Sequence, residues 1–112
     1  MSNLTFKEYE DKAKETAIYP NFGSNIYYPA LGLGGESGEV LENIKKMMRD
    51  DNGVLTLERK QKIKKELGDV LWYCALLAFE SGLTLEEVAE ANNSKLLKRL
   101  EENKIHGEGS DR

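Results

Sequence analysis

The chain has 112 residues, of which 16 are Lys or Arg and 20 are Asp or Glu, for a net charge of −4. That length fits one domain around one core. An acidic balance argues against a protein that coats nucleic acid, which needs a basic face, so no nucleic-acid polymer is expected as a partner.

In chain order, Phe6, Tyr9, Ala13 and Ala17 recur at helical spacing. They predict a first helix that stops near Tyr19-Pro20, because the residue before a proline avoids the α region. Asn21 to Asn25 reads as a loop, and Tyr19, Phe22, Tyr27 and Tyr28 around it either pin it to the core or offer a wall for a nucleobase. A second helix starts between Tyr28 and Leu31 and runs to Met48, with Leu33, Val40, Ile44 and Met47 on one side and Glu36, Glu39 and Asn43 on the next. Asp50-Asp51-Asn52-Gly53 ends it as a turn. A third helix runs from Leu57 to Ser81-Gly82, with a core stripe of Ile63, Leu67, Val70, Cys74 and Leu77 beside a stripe of Lys62, Glu66, Asp69 and Tyr73. Thr84 and Glu87 match a capping box that opens a fourth helix, carried by Leu85, Val88, Ala89, Leu96 and Leu100 to about Glu102.

These elements predict an all-α fold, a bundle of four main helices spanning 1–104 and followed by a flexible Gly-rich tail, 105–112. A small, highly charged helical domain gains by burying further surface, so a homodimer or homotetramer is expected to complete the bundle. Cys74, inside an apolar run, reads as a small core residue rather than a nucleophile. The N-terminus lacks the basic and apolar segments of a signal peptide, and the apolar run Val70 to Phe79 is too short to span a bilayer. The expectation is a cytoplasmic protein with no membrane partner.

Two carboxylate pairs carry the chemistry: Glu36 and Glu39, then Glu66 and Asp69. Each pair is spaced i, i+3, which on a helix leaves the side chains about 60° apart around the axis and about one turn apart along it. Two such helices packed face to face make an acidic cage. Hard divalent cations take oxygen ligands and keep waters that a phosphate can displace, so the cage points to Mg²⁺, with Mn²⁺ as an alternative. Glu at this spacing is also common on solvated helices, but no Lys or Arg lies at helical spacing beside Glu36 and Glu39. Glu66 and Asp69 have Lys62 and Lys65 before them, in the weaker order for an i, i+4 pair, and apolar or aromatic neighbours after them.

Taken together, Gly35-Glu36-x-x-Glu39 and Lys65-Glu66-Leu67-Gly68-Asp69-Val70-Leu71-Trp72-Tyr73 resemble the MazG-like all-α nucleoside triphosphate pyrophosphohydrolases, whose hallmark is ExxE followed on the next helix by ExxD. The likeness covers nearly the whole chain, including Pro29-Ala30-Leu31-Gly32-Leu33 and Asn92-x-x-Lys95-Leu96-x-x-Arg99. It implies hydrolysis of a (d)NTP at the α–β phosphoanhydride bond to (d)NMP and pyrophosphate, as nucleotide-pool housecleaning. Carried over by position, Glu36, Glu39, Glu66 and Asp69 bind Mg²⁺, and Glu36 or Glu39 takes the proton from the attacking water. Tyr73, Asn92, Lys95, Arg99 and Lys62 are the implied substrate contacts; core packing for Tyr73 and a solvated face for the rest are the structural alternatives.

Three rival readings differ in their consequences. A non-catalytic helical oligomerisation module tolerates Glu39→Gln and Asp69→Asn. A di-iron bundle wants Glu-x-x-His, whereas the single histidine, His106, has Asn103 three residues before it. Within the enzyme class, a narrow pyrimidine deoxynucleotide hydrolase competes with a broad housecleaning enzyme, and Trp72 stands elsewhere than the tryptophans that hold the base in some pyrimidine-specific relatives.

Overall fold

The computed structural model describes residues 2–102, so the whole of the expected tail, 105–112 with His106, lies outside the described residues. Within them the chain is all-α: α1 (Phe6–Glu15), α2 (Tyr27–Asp50), α3 (Leu57–Glu80) and α4 (Leu85–Glu101). None of these helices is long and apolar enough to cross a membrane.

α1 and α4 each begin with a reciprocal capping box, Thr5 with Glu8 and the expected Thr84 with Glu87. α1 stops at Glu15, short of the expected Tyr19-Pro20. The Thr16 hydroxyl is the reason: it donates to the Ala13 carbonyl at 2.9 Å and accepts from Trp72 Nε1 at 2.8 Å, which turns the chain out of the helix onto α3. Ala17 and Tyr19 are then buried from the segment that follows. α2 starts earlier than expected because Pro29 falls in its first turn, where a missing N–H costs no intrahelical bond.

The Asp-Asn-Gly turn after α2 is built as read, with Asn52 and Gly53 both at positive φ. The short link folds α3 back antiparallel along α2, so that Tyr28 near the start of α2 meets Tyr73, and Asn43 near its end meets Arg59. α1 and α4 pack on α3 and on each other, and α2 packs only on α3.

The core centres on Ala75 and Leu76, joined by Ala13, Ala17, Tyr19 and Leu85. The expected α3 stripe is displaced, since Leu67 is 52% exposed while Leu76 is fully buried. From Val70 to Phe79 the helix is apolar on nearly every side, and periodicity cannot choose a face there. Cys74 is half-buried against this core, and desolvation raises its thiol pKa, which suits packing rather than nucleophilic work.

One carboxylate pins the aromatic loop. Glu80 accepts from the Tyr19 hydroxyl and from the Gly23 N–H through Oε2, and from the Asn25 N–H through Oε1. Tyr19 stacks on Tyr28 at 4.6 Å and Phe22 on Phe79 at 5.1 Å, so the loop is held to the bundle. Desolvation works against ionisation of Glu80, but the Tyr19 hydroxyl and the two backbone N–H groups outweigh it and hold the carboxyl below the usual range. A depressed folded pKa means that the unfolded chain binds more protons, so this contribution is present above about pH 4.3 and is lost as the pH falls through the folded value. The melting temperatures of wild type and Glu80→Gln are therefore expected to differ at pH 7 and to converge in acid below pH 4. Parallel curves would contradict the pin.

Candidate metal centre

The antiparallel pairing of α2 and α3 sets the two acidic phrases against each other. Glu36, Glu66 and Asp69 converge, with one carboxylate oxygen from each lying within 4.8 Å of the others. Glu36 and Glu66 are half-buried and Asp69 is exposed. Among the described residues no ion pair neutralises any of the three. Desolvation, a hydrogen bond shared with Glu66, and the charges of Asp69, Glu66 and Glu39 push the Glu36 carboxyl above its ordinary range. Oxygen donors alone, crowded and without a cation from the protein, fit a hard divalent ion.

Glu39 lies outside this trio. It lines an adjoining groove of about 500 Å³ with Asn43, Lys46, Arg49, Asp50, Arg59, Lys62, Lys65 and Glu66. Lys62 reaches this groove and also pairs with Glu58 at 3.4 Å on the surface.

Tyr73 lies at the opposite end of the trio. Its ring packs so closely on Gly32 of α2 that a Cβ there would overlap ring carbons. It also sits 6.5 Å from the Tyr28 ring and 5.0 Å from Trp72. Tyr28, Gly32 and Glu36 thus succeed one another at i, i+4 along α2, an aromatic platform leading to the acids. Tyr9 joins from α1, its hydroxyl 3.5 Å from the Gly68 carbonyl beside Asp69.

The polar residues of α4 stand elsewhere. Asn92 and Lys95 line a groove of about 720 Å³ with Phe6, Leu71, Cys74 and Val88, between α4, α1 and α3, and α4 makes no packing contact with α2. Arg99 is buried on the same helix. Within one chain these three residues do not meet the acids.

Residues 29–103, which hold α2 but for its first two residues, α3, α4 and every acid of the trio, match the family model of the MazG nucleotide pyrophosphohydrolase domain. The chain belongs to this family. It is 39% identical over 109 residues to the Gene 37 protein of Mycobacterium phage L5, covering 93% of this chain and 96% of that protein. It is 32% identical over 92 residues to Uncharacterized protein YvdC of Bacillus subtilis (strain 168), covering 75% of this chain and 87% of that one. No solved structure matches. The MazG domain match starts at Pro29, so α1 and the aromatic loop precede it.

One feature of this MazG domain is missing from the sequence reading. Arg59 opens the basic run Arg59-Lys60-x-Lys62-x-Lys64-Lys65, which as sequence suggests a solvated face, yet it is 8% exposed and bonded to Asp51 and Asn43. Asp51 in the turn, eight residues before it, is the available signal.

Proposed function

We propose that the chain is a divalent-metal-dependent nucleoside triphosphate pyrophosphohydrolase, converting a (d)NTP to (d)NMP and pyrophosphate in nucleotide-pool housecleaning. The observation that carries the reading is the convergence of Glu36, Glu66 and Asp69, with no ion-pair partner among the described residues, in a domain of the MazG family. These three, with Glu39, would hold Mg²⁺ or Mn²⁺. A cation bound there would neutralise phosphate charge and lower the pKa of the attacking water.

The remaining work falls to the chain itself. Glu36 or Glu39, whichever is less occupied by the metal, would take the proton of that water. Tyr73 and Tyr28 offer ring faces to the sugar or base, and Lys62 offers an ammonium to a phosphate. A homo-oligomer is part of the proposal, because among the described residues α2 is covered by α3 alone, which leaves Leu31, Leu41 and Met48 between 70% and 77% exposed. Asn92, Lys95 and Arg99 would then reach a nucleotide from a second copy.

The test is incubation with each standard NTP and dNTP plus Mg²⁺, resolving NMP, NDP, phosphate and pyrophosphate. Release of NMP with pyrophosphate is expected, and the range of bases consumed separates a pyrimidine-specific enzyme from a broad one. Release of NDP and phosphate would overturn the bond assignment. No turnover, together with wild-type behaviour of Glu39→Gln and Asp69→Asn, would favour the interaction-module reading.

A further inference from the structure

The groove beside the acids is basic, although the chain as a whole is acidic. Five cations line it, Lys46, Arg49, Arg59, Lys62 and Lys65, against three acids, Glu39, Asp50 and Glu66. Arg49 is forked onto Asp50 by two bonds of 2.7 Å, and Lys62 leans on Glu58. Among the described residues, Lys46 and Lys65 make no ion pair.

Arg59 sets this groove apart from a solvated patch. Its side chain is 9% exposed, and two of its nitrogens are fixed, Nε on Asp51 Oδ2 at 2.9 Å and Nη1 on Asn43 Oδ1 at 3.0 Å. Asn43 in turn donates from Nδ2 to the Glu39 carbonyl at 3.2 Å. Nη2 has no acceptor among the described residues, although the residue lines the groove. A buried guanidinium with a donor to spare and a rigid fork is the side chain best suited to a phosphate oxygen. The groove, at about 500 Å³, has room for a chain of two or three phosphates.

We propose that this groove is an oligophosphate subsite, in which Arg59, clamped by Asp51 and Asn43, acts with Lys46 and Lys65 to hold the terminal phosphates of the substrate. The proposal rests on the pyrophosphohydrolase reading and gives the nucleotide a direction. Its base lies at the Tyr28–Tyr73 end of the helix pair, the α-phosphate at the acids, and the leaving pyrophosphate at the Arg59 end.

The experiment is calorimetric titration of the full chain with inorganic tripolyphosphate in chelator-treated, low-salt buffer, beside the double variant Lys46→Ala/Lys65→Ala. Both lysines are on the groove surface, so the variant is expected to fold. Wild type should bind tripolyphosphate at one site per chain, and the double variant should bind roughly tenfold or more weakly. Sulfate at equal concentration should displace little of it. Equal affinity in both proteins, no binding by wild type, or equal displacement by sulfate would each overturn the subsite. Release of NMP and pyrophosphate from nucleotides by a protein that ignores tripolyphosphate would sink the subsite and leave the reaction standing. Tight tripolyphosphate binding by a protein that turns over no nucleotide would do the reverse.

Discussion

Glu66→Gln is expected to remove nucleotide hydrolysis and, in the same protein, to raise the melting temperature of the metal-free form. Glu66 faces Glu36 and Asp69, and among the described residues no ion pair relieves the three, so the unliganded fold carries repulsion. Removing one charge relieves it by a few tenths of a kcal/mol per like-charge contact. The same change withdraws one of the oxygen ligands on which charge stabilisation at the phosphate depends. Several kcal/mol of transition-state stabilisation correspond to a loss of roughly 10³-fold in turnover. Calorimetric melting in chelator and product release in Mg²⁺, on one preparation, check the two signs together. A residue that is merely structural would lose both stability and activity. A solvated surface acid would change neither.

The second large effect is expected at Gly32. A methyl group there enters the space of the Tyr73 ring, so Gly32→Ala must drive the ring from its place or push α2 away from α3 one turn before Glu36. Overpacking of this kind costs about 1–3 kcal/mol, against a gain of about 1 kcal/mol in helix propensity. Activity should fall further than stability, because the displaced ring belongs to the platform and the strained helix carries a cage acid. The cycle with Tyr73→Ala decides the cause. In that background the clash is absent, and Gly32→Ala should be neutral or stabilising. If Gly32→Ala costs the same with and without the ring, the contact does not explain the glycine.

Much of this was legible in the residues, for reasons that differ by element. The helix ends set by local chemistry were readable: Thr84 and Glu87 form their capping box, and Asn52-Gly53 supplies the left-handed turn. Ends set by tertiary contacts were not, as at Thr16, which leaves α1 early because Trp72 donates to it from 56 residues away. The acid spacing correctly placed Glu36, Glu66 and Asp69 on facing helices. It could not show Glu39 turned towards the basic groove, since that depends on how the two helices are rotated about each other. Arg59 was hidden for a similar reason: a sequence of alternating lysines looks solvated until the turn brings Asp51 and Asn43 to the one guanidinium among them. Leu31 and Leu41 of α2 lie outside the stripe read from the sequence, and nothing among the described residues covers them.

The central claim is that acids from α2 and α3 hold a divalent cation on which hydrolysis depends. The most direct measurement titrates Mn²⁺ into metal-stripped protein, following bound Mn²⁺ by electron paramagnetic resonance and NMP release in the same samples, for wild type and Glu36→Gln. Binding and turnover are expected to rise together in wild type and both to be lost in the variant. NMP release that persists in chelator, or Mn²⁺ binding unchanged by Glu36→Gln, would contradict the claim.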